Sequence, residues 1–102
     1  MKVSEITTKN LQDYLRLDDD TFKDEIDIYL KSAISYVCEH TGLIQNETKK
    51  ELDAHEDITM AVFVLVSDFY ENHLYHQGGV GTEVKVNKIV DTILNHHRVN
   101  LV

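Results

Sequence analysis

Between Ile58 and Phe69 polar side chains nearly vanish: Ile58, Met60, Ala61, Val62, Phe63, Val64, Leu65, Val66 and Phe69 leave only Thr59, Ser67 and Asp68 among them. No glycine or proline falls between Glu56 and Tyr75. A stretch this long without a turn residue predicts a helix from near Glu56 to about Tyr75. Its β-branched content would also suit a strand, but its length decides for helix. A helix that is apolar nearly all round needs neighbours on several sides. The expected fold is therefore an all-α single domain of about four helices, with this third helix at its centre and a long second helix packed along it.

The remaining elements follow from spacing and caps. Thr7 and Thr8 can cap a short first helix whose apolar positions are Leu11, Tyr14 and Leu15, with Ile6 placed to staple its start. Asp18, Asp19, Asp20 and Thr21 supply a turn and a new N-cap, and Asp24 and Glu25 suit the positive end of a helix dipole. From Phe22 the apolar residues Ile26, Tyr29, Leu30, Ala33, Ile34 and Val37 recur at steps of three and four, one stripe of a long second helix. Gly42, after Thr41, is its stop. Leu43 to His55 reads as a polar connection with a short helical piece around Lys49 to Leu52. After the third helix, residues 77–85 form a flexible glycine-rich loop around Gly78, Gly79, Val80 and Gly81. Val86, Ile89, Val90, Ile93 and Leu94 trace a last helix ending around His96, His97 and Arg98. Residues 99–102, Val99, Asn100, Leu101 and Val102, make a short apolar arm.

Bulk properties narrow the function. The 102 residues make one domain, with room for a single core and little scaffold for a deep active site. Apolar residues are 42% and charged residues 27%, the range of a folded chain rather than a disordered one. A formal charge of −8, from 18 acidic and 10 basic side chains, argues against tight sequence-specific binding to nucleic acid. An acidic wall could still repel a passing duplex and so serve a conduit. The one cysteine, Cys38, excludes an intrachain disulfide and a cysteine-based zinc cluster, and its helical spacing reads as an inert buried thiol. The first residues hold no apolar run of signal-peptide length and no segment approaches a membrane span, so a soluble protein made in a cytoplasm is expected.

Candidate chemistry gives way to simpler readings. Asp18, Asp20 and Glu25 suggest a calcium loop, but its sixth and twelfth places hold Lys23 and Tyr29 instead of glycine and an acid. His73 and His76, with His96 and His97 on the next helix, could meet across an antiparallel pair and bind zinc or nickel. Histidines at a helix C-terminus also interact well with the dipole without a metal. The glycine loop is neither a phosphate-binding loop nor a dinucleotide fingerprint, and no nucleophile–base or paired-carboxylate pattern stands out. No catalytic residue, cofactor or metal ligand is assigned. Two features exceed the needs of a monomer: apolar side chains on more faces of the third helix than a small domain covers, and the apolar C-terminal arm.

The motifs in order resemble those of the head–tail connector (head-completion) proteins of long-tailed bacteriophages. In that family a Leu-x-x-Tyr/His-Leu-Arg-Leu-Asp helix leads through an acidic turn into a long helix with an Ile/Ala stripe and a Thr-Gly end. Leu11 to Asp20 and Ala33 to Gly42 match it. The family's third-helix run is carried by Ile58, Ala61, Leu65, Val66, Tyr70, Glu71 and Asn72, and its closing helix by Ile93, Leu94 and Arg98. This chain lacks the prolines that often precede the family's third and last helices, and its Leu43–His55 connection is short. The resemblance implies a structural virion protein, not an enzyme, from a phage or prophage. It would be made in the bacterial host cytoplasm and located at the head–tail interface. Such subunits form a dodecameric ring under the portal protein after DNA packaging, extend the DNA channel and offer a platform for stopper or tail proteins, without a cofactor or membrane. Partner contacts are expected at Gly78, Gly79, Val80, Gly81, Arg98, Val99, Leu101 and Val102. The alternatives are a metal-binding protein or enzyme built on the four histidines, and a small helical regulatory module.

Overall fold

A computed structural model describes residues 1–76 and 88–99, with the side chains of 73–76 left out. The described residues form four α-helices: α1 Thr8–Tyr14, α2 Lys23–Thr41, α3 Glu56–His76 and α4 Lys88–His96. Two 3-10 turns, Val3–Glu5 and Glu51–Ala54, complete them. The all-α expectation holds. α3 packs against α1, α2, α4 and both 3-10 turns, more neighbours than any other element has.

Each end has a local cause. The Thr7 side chain accepts the Asn10 amide, and Asn10 Oδ1 accepts the Thr7 amide at 2.9 Å, so the start of α1 is capped reciprocally. Ile6, expected to staple that start, and Leu11, an expected apolar position of the helix, are both in the core. α1 ends in a Schellman pattern: the Leu17 amide donates to Gln12 O at 2.9 Å and the Arg16 amide to Asp13 O at 3.1 Å. Arg16 takes the left-handed position, φ 59°, where glycine is usual. Gln12, only 5% exposed, then donates to Asp19 O at 3.1 Å and Asp20 Oδ1 at 2.8 Å, tying the acidic turn to α1.

The aspartates do not cap α2, contrary to expectation. Its N-cap is Phe22, with no side-chain cap bond. Asp19 Oδ1 accepts the Thr21 amide at 3.0 Å and Asp20 is engaged by Gln12, so both carboxylates shape the turn. The Thr21 backbone and side chain hold the Asp19 carboxyl below its ordinary value. Asp24 and Glu25 do lie in the first turn of α2, as expected from the dipole. At the other end Gly42 adopts φ 80°, and its amide donates to Cys38 O at 2.9 Å.

The centre of the core is Ile26, Ala33 and Val37 of α2 against Ile58, Ala61, Val62, Leu65 and Val66 of α3, closed by Val90 and Leu94 of α4, and Val3, Ile6, Leu11 and Leu52 complete it. Burying each of the larger side chains contributes roughly 1.5–3 kcal/mol. α4 begins at Lys88, and Val86 lies outside the described residues. Ile89, read as a core position, is 59% exposed: one step before Val90, it turns out of the buried stripe. Cys38 is half-buried, and burial pushes its thiol up, which keeps it protonated and inert.

The Leu43–His55 connection is more ordered than its polarity suggested. Gln45 and Lys50 form an antiparallel bridge, and Asn46 Oδ1 accepts the Thr48 and Lys49 amides at 2.9 and 2.7 Å to turn the chain. The helical piece expected near Lys49 falls at Glu51–Ala54, with Leu52 fully buried. Asp53 ties it to the N-terminal turn by accepting the Ser4 amide and hydroxyl and the Gln45 side-chain amide. Burial would raise the Asp53 carboxyl, but these donors hold it below the usual carboxylate value.

Candidate functional site: the C-terminal junction

The expected partner residues fall in two segments. Gly78, Gly79, Val80 and Gly81 lie outside the described residues, as do Leu101 and Val102. Arg98 and Val99 are described, and both are exposed. They leave α4 at the C-terminal end of α2, where the Val99 amide donates to Thr41 O at 2.8 Å. Thr41 is itself buried. Its hydroxyl donates to Val37 O at 2.7 Å and accepts the Leu43 amide at 3.2 Å. The first residue of the expected arm is thus held by the carbonyl at the end of α2, which would otherwise lack a helical partner. Its side chain stays 57% exposed.

Beside this junction lies a cluster of imidazoles. His97 Nε2 donates to Asp57 at 2.8 Å (Oδ1) and 2.7 Å (Oδ2), joining the end of α4 to the first turn of α3. The His97 side chain is 13% exposed, and the His55 ring packs on it with centroids 4.2 Å apart. The His96 ring meets it edge-on at 5.0 Å. Burial would raise the Asp57 carboxyl. The His97 hydrogen bond and charge, with the Asp57 and Ile58 amides, bring it below the ordinary value instead.

This geometry overturns the four-histidine cluster. His97 meets the start of α3, whereas His73 and His76 sit near its end. At about 1.5 Å per residue, on the order of 20 Å of helix separates Asp57 from His73, too far for a shared ion. Among the described residues, no group of three or more His, Cys, Asp or Glu side chains is arranged to hold a metal. The aspartate–histidine pair has the contacts of a base and its orienting acid. Among the described residues, no serine, threonine or cysteine is hydrogen-bonded to His97, and the pair reads as a clasp between helices.

One further depression, of about 390 Å³, is lined by Lys31, Ser32, Ser35, Tyr36, Glu39 and Phe69. It is a shallow dent between α2 and α3, and its polar residues come from the solvent side of α2. The His40 ring stacks on Tyr36 at 4.0 Å, with Nδ1 at 3.0 Å from Tyr36 O, which satisfies that imidazole locally.

The Asp57–His97–His55 contact escaped sequence reasoning because it joins residues 40 positions apart across an antiparallel pairing. The one available signal was a histidine and an aspartate flanking the start of α3 and a histidine pair ending α4. No helix of the described residues is long and apolar enough to cross a membrane. No family model, curated protein or solved structure matches this chain.

Proposed function

We propose that the chain is a head–tail connector subunit, a structural virion protein that assembles as a ring on a phage portal and gives stopper or tail proteins their platform. The observation that carries the reading is how the resembling segments fall on the fold. Leu11 to Asp20 builds α1, its Schellman end and the acidic turn. Ala33 to Gly42 builds the second half of α2 and its glycine cap. Ile58 to Asn72 builds most of α3. These segments supply the frame of the subunit, and Arg98 and Val99 leave that frame from a fixed point at Thr41. In this reading Val99, Leu101 and Val102, with Arg98, form an arm against the portal or a neighbouring subunit. Gly78 to Gly81 is a second contact.

The test is binding of the purified protein to tailless, portal-bearing capsids of the genome that encodes it, followed by electron microscopy. Ring density beneath the portal supports the reading; undecorated capsids with a monomeric protein defeat it. Truncation after Val99 keeps the anchor to Thr41 and removes the rest of the arm, so it should leave the helical spectrum intact and abolish decoration. The small helical interaction module is the second reading, favoured by the open face of α3 described next.

A further inference from the structure

Among the described residues, α3 is covered on the sides facing α2 and α4, and one strip of it is left open. Met60 is 59% exposed, although its neighbours Thr59 and Ala61 are buried. Phe63 and Val64, three and four residues on, share its side of the helix and are only half-buried. Tyr14, 50% exposed at the end of α1, packs edge-on against Phe63 with centroids 5.2 Å apart. Met1, 53% exposed, is held at the same end of α3 by the Thr59 hydroxyl, which donates to its carbonyl at 2.8 Å. Three of the exposed large apolar side chains therefore gather around one strip instead of being scattered.

The strip has charged ends. Glu56 precedes Met60 by one turn and Glu71 follows it by three, on the same side, and both are exposed. Neither forms an ion pair with any described residue. At about 1.5 Å per residue they stand roughly 22 Å apart, the length of a helix of about four turns.

We propose that this strip docks an amphipathic helix of a partner protein, with methionine, leucine or aromatic side chains on its apolar face and lysine or arginine at both ends. Charge complementarity selects that occupant over a second copy of the chain. In a two-fold pairing of this strip with itself, a parallel arrangement sets Glu56 on Glu56 and an antiparallel one sets Glu56 on Glu71. Acid faces acid either way, whereas basic ends meet both carboxylates. Met60 suits such a site, because a flexible thioether adapts to different apolar partners. The proposal stands apart from the connector reading and is tested on the protein alone.

The probe is an 18-residue designed helical peptide with a leucine stripe and two lysines at each end, beside a sister peptide ending in glutamates. The lysine-ended peptide should bind at least tenfold tighter at low salt, and it should shift the Met1, Met60 and Val64 methyl resonances of the full chain. Met60→Ser and, independently, Tyr14→Ser should weaken it at least fivefold with the circular dichroism spectrum unchanged; both side chains are exposed, so folding does not depend on them. Glu71→Lys should narrow the preference between the peptides. Equal binding of the two peptides, binding of neither, or methyl shifts confined to other residues overturns the proposal. So does a concentration-dependent dimer in sedimentation that Met60→Ser abolishes, which would make a second copy the occupant.

Discussion

The two sides of α3 carry the same kind of side chain and meet opposite fates. Ile58, Val62 and Val66 are fully buried in the core, where α2 contributes Ile26, Ala33 and Val37. Met60, only two positions from Ile58 and Val62, faces solvent. A domain with four helices has too few neighbours to wrap a helix that is apolar all round, so one strip goes uncovered. The covered side makes the fold and the uncovered side is available for association. Equal hydropathy thus does not mean equal energetic weight.

The hardest way to break the contrast is a charge on the covered side. Val62→Asp should unfold the domain, because an unpaired buried carboxylate costs several kcal/mol, the scale of total stability. Loss of the helical circular dichroism signal checks it; a folded variant would mean that α3 is not central. A cavity is the next test. Ile26→Ala should cost about 2–5 kcal/mol in urea unfolding, whereas Met60→Ser should stay within about 0.5 kcal/mol of the parent. If the two variants lose comparable stability, the distinction between the sides fails.

Smaller effects sharpen the boundary at the C-terminal junction. Thr41→Val keeps the shape but leaves Val37 O and the Leu43 amide without the hydroxyl, at a cost of about 0.5–1.5 kcal/mol. Hydrogen exchange at the Val99 amide should speed up with it. Asp57→Asn should cost about 0.5–1 kcal/mol at neutral pH, since its carboxylate is partly exposed and screened. The sign follows from its lowered carboxyl: the contribution is present above the unfolded value, near 3.8, and disappears as pH falls through the still lower folded value. Parent and variant should therefore differ at pH 6 and converge once the pH falls below the folded carboxyl's own value. An unchanged gap at low pH would dissociate the Asp57 charge from the clasp. Of similar size but opposite sign, Arg16→Gly should stabilise the chain by about 0.5–1 kcal/mol, because a non-glycine residue is held at positive φ. A loss on that substitution would show the Arg16 side chain making a compensating contact.

Much of the frame was legible in the order of the residues. The Ile58–Phe69 run required a central helix, the stripe from Ile26 to Val37 required a partner for it, and Thr7 and Gly42 marked ends where the structure places them. These are local rules: a side chain capping an amide two or three residues away, a glycine permitting a left-handed turn, apolar residues recurring with the helical period. The candidate site was less legible. Arg98 and Val99 were named for their terminal position, yet the hydrogen bond to Thr41 that fixes where they leave the fold depends on a chain segment far away in sequence. The same holds for the clasp of His97 on Asp57 and for Leu52, a core residue inside a polar connection. Asp19 and Asp20 show the converse, since two plausible caps were drawn into the turn by Gln12 and Thr21. Which apolar residues of α3 and α4 stay in water was likewise settled by neighbours, as Met60 and Ile89 show. Periodicity sets the direction of a side chain about its own helix axis, but only the packing of the other helices decides whether anything lies in that direction.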